Sequence, residues 1–173
     1  MQHDKELYKQ MFIEQNKAGT IIASNASFKI NQFLKKAENS LAIAYFHKNI
    51  NPTNEQPEKM YWIYWAITIS YYSILYATKA IILTKGYEVK THEAAQIALG
   101  HLCLPSQIEK EDLELLNEAQ KIFEEEYITY FQDARTESNT ARYSAIKKYS
   151  ERRVNEIYEN ARKFILKIKT IIE

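Results

Sequence analysis

Residues 61–92 form the stretch YWIYWAITISYYSILYATKAIILTKGYEVKTH. No glycine or proline interrupts it between Tyr61 and Leu83, and the only charged residue in that interval is Lys79. An apolar stretch of this length is typical of a membrane span, of the buried central helix of a bundle, or of half of a helix–helix interface. The choice among these three decides which functions the chain can perform.

The polar side chains within this stretch favour a buried helix over a membrane span. A span needs about 20 mainly apolar residues, whereas the charge-free part, Trp62–Thr78, has 17. Its hydroxyl groups recur on every turn and would be costly in lipid, and tyrosines of a span belong at its ends. Residues 1–17 lack an apolar secretory core, so we expect no signal peptide, no membrane association and a cytoplasmic location.

Length and composition favour one all-α domain over residues 1–173. A chain of 173 residues is long enough to bury a substantial core. It has 3 glycines and 3 prolines, too few turn formers for an all-β chain. We therefore predict an up-and-down bundle of about five to six helices with a four-helix core.

Capping and breaking residues place the ends of the first four helices. Thr53 and Gln56 have the spacing of a capping box for the third helix. Gly86 suits the left-handed position after its end, and Thr91 suits the cap of the fourth. The predicted helices are residues 4–17, residues 25 or 27 to about 49, residues 53–84, and residues 91–100 with Gly100 at the end.

Apolar residues recur at three- and four-residue steps in the last two predicted helices. The fifth helix, from Pro105 and Ser106, has an acidic opposite face, and the last follows a junction at residues 131–139. Ser150 lies inside the last stripe, which predicts one helix of nearly thirty residues. The stripes are Ile108, Leu113, Leu116, Ala119, Ile122 and Phe123, and then Tyr143, Ile146, Ser150, Val154, Ile157, Ala161, Phe164, Ile168 and Ile171.

The near-zero net charge conceals an asymmetry between these two helices. Residues 106–134 carry a net charge of −7 and residues 135–173 one of +5. Two interpretations follow. Either the acidic and basic helices lie antiparallel and neutralise each other, or the basic last helix presents a face to phosphates.

Several kinds of site are excluded or disfavoured by the sequence. Cys103 is the only cysteine, so no internal disulfide and no thiolate metal cluster can form, and we expect a small core residue. Glu124–Glu126 has no ExxH motif to complete a di-metal site and is expected to be a solvated face. No Gly-rich phosphate loop exists. We expect no metal and no cofactor, and we expect the aromatic residues of 61–76 to be core, with base stacking as the alternative.

The block SYYSILYATKAIILTKGYEVKTHEAAQIAL, residues 70–99, resembles the HEPN domains, which are small helical bundles often encoded beside minimal nucleotidyltransferases. The junction ARTESNTARYS, residues 134–144, is similar to the Arg-containing start of the family's final helix. The likeness covers most of residues 26–170. The residues that match the family layout, in order, are Tyr71, Tyr72, Lys79, Ala80, Gly86, Thr91 and His92.

The ribonuclease members of that family use an arginine followed after four to six residues by a histidine. The cation stabilises the phosphorane charge and the histidine moves the 2′-hydroxyl proton. Here every histidine precedes every arginine, and Ala141 stands at the base position if Tyr143 matches the family's trailing tyrosine. We expect no catalytic residues, absent or very weak metal-independent RNA cleavage, and a packing or capping role for His92.

Anion binding would survive the loss of the histidine. Arg135, Arg142 and Tyr143 are the candidate nucleotide or RNA phosphate-binding residues, because helix N-termini and arginine favour phosphate. The alternative is that both arginines pair with the acidic fifth helix through Glu124–Glu126 or Asp133.

The resemblance implies a non-catalytic HEPN-like domain that binds a partner protein, a nucleotide or RNA, in a toxin–antitoxin or nucleotidyltransferase-associated system. It also implies a homodimer, formed through the third or the last helix, and a minimal nucleotidyltransferase as a candidate partner. The 13 Tyr, 7 Phe and 2 Trp agree with a dimer, since they exceed what one small bundle is expected to bury. The alternatives are an RNA-cleaving ribonuclease or toxin with an atypical site, and a purely structural helical subunit.

Overall fold

A computed structural model describes residues 5–54, 57–104, 108–118, 121 and 150–173. The protein is a helical bundle with a small two-stranded sheet, which confirms the predicted all-α class. The elements are α1 (Lys5–Lys17), β1 (Ile21–Ala23), α2 (Phe28–Asn49), α3 (Lys59–Thr84), β2 (Tyr87–Val89), α4 (His92–Leu102), α5 (described over residues 110–118) and α6 (Glu151–Ile172).

Helix α3 is the central helix of the bundle. Its 24 residues Tyr61–Thr84 are long and apolar enough to cross a membrane, and 78% of the most apolar window is buried inside the protein. Two buried hydroxyls bond to the helix's own backbone: Ser70 donates to the Ala66 carbonyl at 2.8 Å, and Ser73 to that of Ser70 at 2.6 Å. The helix satisfies these two polar groups internally, whereas the buried Thr78 hydroxyl has no hydrogen-bond partner among the described residues.

The main core lies between α3 and the helices α2, α5 and α6. Leu34 of α2, Ile74 of α3, Leu116 of α5 and Phe164 of α6 all belong to it. The predicted stripes are confirmed at most of the described positions: Ile171 is partly buried and Ser150 is exposed, and the buried members are Ile108, Leu113, Leu116, Val154, Ile157, Ala161, Phe164 and Ile168. Ala119, Ile122, Phe123, Tyr143 and Ile146 lie outside the described residues.

A second cluster joins α1, α4 and the two strands at one end of α3. Phe12 of α1, Ile21 of β1, Val89 of β2 and Ala95 of α4 pack together there. The strands are antiparallel, with Ile21 opposite Val89 and Ala23 opposite Tyr87. No strand was predicted, because three residues are too few to show an alternating pattern.

Positive φ angles turn the chain into each strand. Gly19, between α1 and β1, has φ +72°, and Gly86, between α3 and β2, has φ +80°. Glycine adopts this left-handed backbone without steric cost. The predicted role of Gly86 as the residue that ends the third helix is confirmed.

Two predicted helix starts are right and one is wrong. Ser27 lies at the N-cap position of α2, although its side chain makes no capping hydrogen bond. At the start of α4 the Thr91 hydroxyl accepts a hydrogen bond from the Ala94 backbone N–H at 3.0 Å. The capping box of Thr53 with Gln56 is wrong: α3 begins at Lys59, with Glu58 at the N-cap and no side-chain cap. Thr53 lies five residues before that capping position.

Two further corrections concern Gly100 and Ser150. Helix α4 continues through Gly100 to Leu102, so Gly100 does not end it. Ser150 is not inside a continuous last helix: its backbone is extended, and its hydroxyl accepts from the Arg153 backbone N–H at 3.2 Å. Serine is a strong N-cap residue, and that preference outweighs its place in the apolar stripe.

Ion pairs join the acidic fifth helix to the basic last helix. Lys167 lies 2.7 Å from Asp112 and 3.3 Å from Glu109, and Arg153 pairs with Glu118. The start of α5 thus meets the end of α6, and the two helices lie antiparallel. Within the described residues, mutual neutralisation is therefore the better of the two interpretations of the charge asymmetry.

Candidate functional site

The predicted phosphate-binding residues Arg135, Arg142 and Tyr143 lie outside the described residues, as do their alternative partners Glu124–Glu126 and Asp133. The site predicted at them stays a prediction. Any candidate site built from the structure must come from the rest of the molecule.

Most residues of the family layout have structural roles. Tyr71 and Ala80 are buried in the main core. The ring centre of His92, at the start of α4, is 5.5 Å from that of Tyr71 and 6.2 Å from that of Tyr72. His92 is thus a packing residue at a helix start, as expected, and the layout describes how α3 meets α4.

An open hollow lined by aromatic side chains lies where α2 ends and α3 begins. Its volume is about 450 Å³. Trp65 is 51% exposed and Tyr61 39% exposed, which are high values for aromatic residues of the central helix. The lining residues, here called the aromatic hollow, are His47, Pro57, Tyr61, Trp62 and Trp65.

The hollow is held in shape by local contacts. The Trp62 indole N–H donates to the Pro57 carbonyl at 3.0 Å, which ties the ring to the loop before α3. The His47 ring lies 5.2 Å from the Trp62 ring, and its Nδ1 is 2.8 Å from the Ile43 carbonyl. Because Tyr61 and Trp65 are four residues apart, they share one face of α3.

The prediction that the aromatic residues of 61–76 are core is right for some and wrong for others. Tyr64 and Tyr71 are buried. Tyr61 and Trp65 are exposed, so these two residues are not core; base stacking on them stays a prediction.

A polar groove lies beside the end of α2. Its volume is about 240 Å³, and it holds two lysines and three asparagines. The Lys48 ammonium donates to Asn155 Oδ1 at 2.8 Å. The groove, here called the lysine groove, is lined by Lys48, Asn49, Asn51, Lys59, Ile63, Glu151, Val154 and Asn155.

Charged groups in the groove are paired but remain in contact with solvent. Lys59 lies 2.7 Å from Glu151, with side-chain exposures of 41% and 68%. The hydrogen bond from Lys59 lowers the pKa of the Glu151 carboxyl. The Lys48 ammonium lies 5.2 Å and 5.0 Å from the ring centres of Tyr45 and Tyr158, a cation–π arrangement. Exposed pairs of this kind are worth little and exchange readily.

The aromatic hollow and the lysine groove meet at the end of α2. His47 lines the hollow, and the next residue, Lys48, lines the groove. Together they offer flat apolar surfaces for stacking and several N–H donors for anions or carbonyls. No group of three His, Cys, Asp or Glu side chains placed to hold a metal ion occurs among the described residues.

Neither the aromatic hollow nor the lysine groove was predicted from the sequence. The pairing of Tyr61 with Trp65 at four-residue spacing was visible, but it equally suits a buried stripe. Which face of α3 stays uncovered depends on how many helices surround it, and no local pattern carries that information.

Comparison with known proteins agrees with the fold and the family layout. No curated protein matches the chain. The family model for the HEPN domain matches residues 30–171, a span that runs from the start of α2 to the end of α6. That match covers most of the 173 residues. This chain therefore belongs to the HEPN domain family.

Proposed function

We propose that this HEPN domain is a non-catalytic module that binds single-stranded RNA at the aromatic hollow and the lysine groove. The observation that carries the proposal is the exposure of Tyr61 and Trp65 directly beside a groove with two lysines. Proteins that bind single strands combine aromatic stacking platforms with cationic grooves that follow the backbone.

The aromatic side supports base stacking. Stacking of a base on an aromatic ring is worth about 1–3 kcal/mol. The Trp62 N–H is already bonded to Pro57, so this indole presents a fixed apolar face. A fixed face loses little conformational entropy when a base stacks on it, which favours binding.

The polar side supports phosphate binding. An ammonium group has three N–H donors, and Lys48 uses one of them on Asn155. Lys59 is held by Glu151, a largely exposed partner that a phosphate can replace at small cost. The amide groups of Asn49 and Asn51 add donors for phosphate or sugar oxygens.

The absence of a histidine after any arginine supports binding without cleavage. The ribonuclease members need that pair, and this sequence cannot supply it. Purified protein incubated with end-labelled RNA is therefore expected to leave it intact. Robust cleavage that is lost in Arg135→Ala would contradict this part of the proposal.

Fluorescence anisotropy with a short labelled single-stranded RNA at low salt tests the binding. Trp65→Ala is expected to weaken binding about tenfold, since one stacking contact is lost. Phe28→Ala is the matched control: Phe28 is an aromatic residue of α2 that is 68% exposed and lies far along the helix from the hollow. Lys48→Gln is expected to reduce the salt dependence of binding.

The proposal fails if Trp65→Ala and Phe28→Ala bind the RNA equally well, or if wild-type binding does not weaken with added salt. Light scattering of the same variants separates RNA from a second copy of the chain as the occupant. Homodimerisation through α3 or α6 stays a prediction. If Trp65→Ala turns a dimer into a monomer and keeps full RNA affinity, the hollow is a self-contact and not an RNA site.

A further inference from the structure

The imidazole ring of His47, in the last turn of α2, is held in place where it lines the aromatic hollow. Its Nδ1 is 2.8 Å from the Ile43 carbonyl oxygen. Its ring centre lies 5.2 Å from that of Trp62 and 5.8 Å from that of Phe46. A ring that is held by one hydrogen bond and two aromatic contacts presents its other nitrogen, Nε2, in a defined direction.

The hydrogen bond to Ile43 fixes the tautomer of the neutral ring. A carbonyl oxygen can only accept a hydrogen bond, so Nδ1 must carry the hydrogen and donate it. Nε2 of the neutral imidazole then has a lone pair and no hydrogen, so it can only accept. No donor among the described residues is bonded to Nε2, and its lone pair is therefore left for a ligand.

The other polar side chains of the aromatic hollow do not duplicate this acceptor. The indole N–H groups of Trp62 and Trp65 only donate, and that of Trp62 is already bonded to the Pro57 carbonyl at 3.0 Å. The Tyr61 hydroxyl rotates and can either donate or accept. Nε2 of His47 is therefore the one fixed side-chain acceptor among the described residues that line the hollow.

His47 reaches the hollow from a different helix than the rings that are exposed for stacking. Tyr61 and Trp65 belong to α3, whereas His47 is the only described residue of the lining that comes from α2. Bases carry their hydrogen-bonding groups on their edges, so a base that stacks on the α3 rings offers these groups to a side chain beside the stack. The volume of about 450 Å³ lies within the range of about 300–1,000 Å³ for small-ligand sites, which is enough for a base.

We propose that His47 selects among the bases of an RNA bound at the aromatic hollow, by accepting a hydrogen bond at Nε2 from an exocyclic amino group. This inference rests on the proposed function. Adenine and cytosine carry an amino group at the position where guanine and uracil carry a carbonyl oxygen. A carbonyl oxygen against the Nε2 lone pair leaves two acceptors without a hydrogen between them, which costs binding free energy. The hollow therefore prefers adenine to guanine and cytosine to uracil.

Fluorescence anisotropy with two short single strands at pH 8, where imidazole groups are ordinarily neutral, tests this selection. One strand is oligoadenylate. The other has purine ribonucleoside at every position, which keeps the ring system of adenosine and lacks the amino group. The wild type is expected to bind oligoadenylate about fivefold more tightly, as one neutral hydrogen bond allows. Oligocytidylate is expected to bind more tightly than oligouridylate for the same reason.

One variant removes the acceptor and one leaves it in place. His47→Phe keeps an aromatic ring beside Trp62 and has no Nε2, so it is expected to bind both purine strands with the affinity that the wild type has for the strand without amino groups. Lys48→Gln is the matched control, because it changes the next residue, in the lysine groove, and not the acceptor. It is expected to weaken binding of both strands by the same factor and to keep the fivefold preference.

The outcomes separate this inference from the proposed function. The inference alone is wrong if the wild type binds the two purine strands equally while Trp65→Ala still weakens binding, because the hollow would then stack bases without selecting among them. It is also wrong if His47→Phe keeps the full preference. Binding of no strand, or binding that Trp65→Ala does not change, overturns the proposed function and the inference with it. The comparison of strands on the wild type needs no variant, so it stays informative even if His47→Phe does not fold.

Discussion

The ring of Tyr8, in α1, lies directly on the backbone of Gly100, in α4. A methyl group added at Gly100 would be 2.6 Å from two carbon atoms of that ring. This is well inside van der Waals contact, so the glycine is what allows the two helices to approach so closely. Gly100 has ordinary helical backbone, unlike Gly19 and Gly86, and its role is space and not chain reversal.

We expect Gly100→Ala to lower the free energy of unfolding by about 1–3 kcal/mol, as overpacking of a filled contact does. Alanine is the better helix former by about 1 kcal/mol, so helix propensity alone would make Gly100→Ala stabilising. A loss of stability in this variant would therefore be due to the contact with Tyr8. Urea unfolding followed by circular dichroism measures it. In a Tyr8→Ala background the same change is expected to become neutral or stabilising; a stabilising effect in both backgrounds would show that the ring does not oppose the methyl group.

Local signals were enough to predict most of the bundle. Both ends of α1 and α2, the end of α3 at Thr84 and the Thr91 cap were predicted to within a few residues, because caps and breakers act on their own neighbours. The buried stripes of α5 and α6 followed from periodicity alone, since a helix that packs on one side must repeat every three or four residues.

The errors at Ser150 and Thr53 are in local capping, whereas other errors are at positions that distant residues decide. A glycine such as Gly100 can either end a helix or allow a neighbouring helix to approach closely. Only the contact with Tyr8 of α1 shows that Gly100 has the second role. The two strands were not predicted, because a strand of three residues is too short to show an alternating pattern of apolar and polar residues. At the candidate site, the exposure of Trp65 could not be predicted, because it depends on which face of α3 is covered by other parts of the chain.

The buried face of His101 predicts a loss of stability in mild acid. Its Nδ1 is buried with no hydrogen-bond partner among the described residues, and its ring lies 4.7 Å from that of Phe12. Burial, followed by the charges of Lys9 and Lys5, lowers the pKa of the imidazole below its ordinary value of 6.5. The unfolded chain then binds the proton first, so stability is full above pH 6.5 and falls as the pH falls below it.

Urea unfolding at pH 7.5 and pH 5.5 measures this loss. The His101→Gln variant is expected to lose less stability between the two values than the wild type, and the control His47→Gln to lose as much as the wild type. Equal losses in all three proteins would mean that His101 is accessible to protons in the folded state.

Cys103 is expected to be unreactive in the folded protein. It is fully buried in the main core, and burial raises the pKa of its thiol to about 11. The thiolate is the reactive form, so alkylation at pH 8 is limited both by the small thiolate fraction and by access. Mass spectrometry after iodoacetamide treatment is expected to show rapid labelling in guanidinium chloride and very slow labelling without it; fast labelling of the native chain would contradict the burial.

Glu88 links β2 to the start of α2 and predicts a second, lower pH window. Hydrogen bonds from Ser24 and then Lys29 lower the pKa of its carboxyl below the ordinary value of 4.5. A carboxyl with a lowered folded-state pKa contributes stability that is full above pH 4.5 and is lost as the pH falls through its folded-state value. With side-chain exposures of 24% for Glu88 and 36% for Lys29, the contribution is expected to be about 0.5–1 kcal/mol at pH 7.

We therefore expect Glu88→Gln to be less stable than the wild type by about that amount at pH 7, and we expect the difference to shrink as the pH is lowered below 4.5 toward pH 3. Glu14→Gln is the control, because Glu14 is exposed on α1 and forms no ion pair within the described residues. Guanidinium unfolding at pH 7 and pH 3 measures the stability of both variants relative to the wild type. A deficit in Glu88→Gln that is as large at pH 3 as at pH 7 would show that the glutamine disturbs the packing at the β2–α2 junction, and that the charge itself contributes nothing.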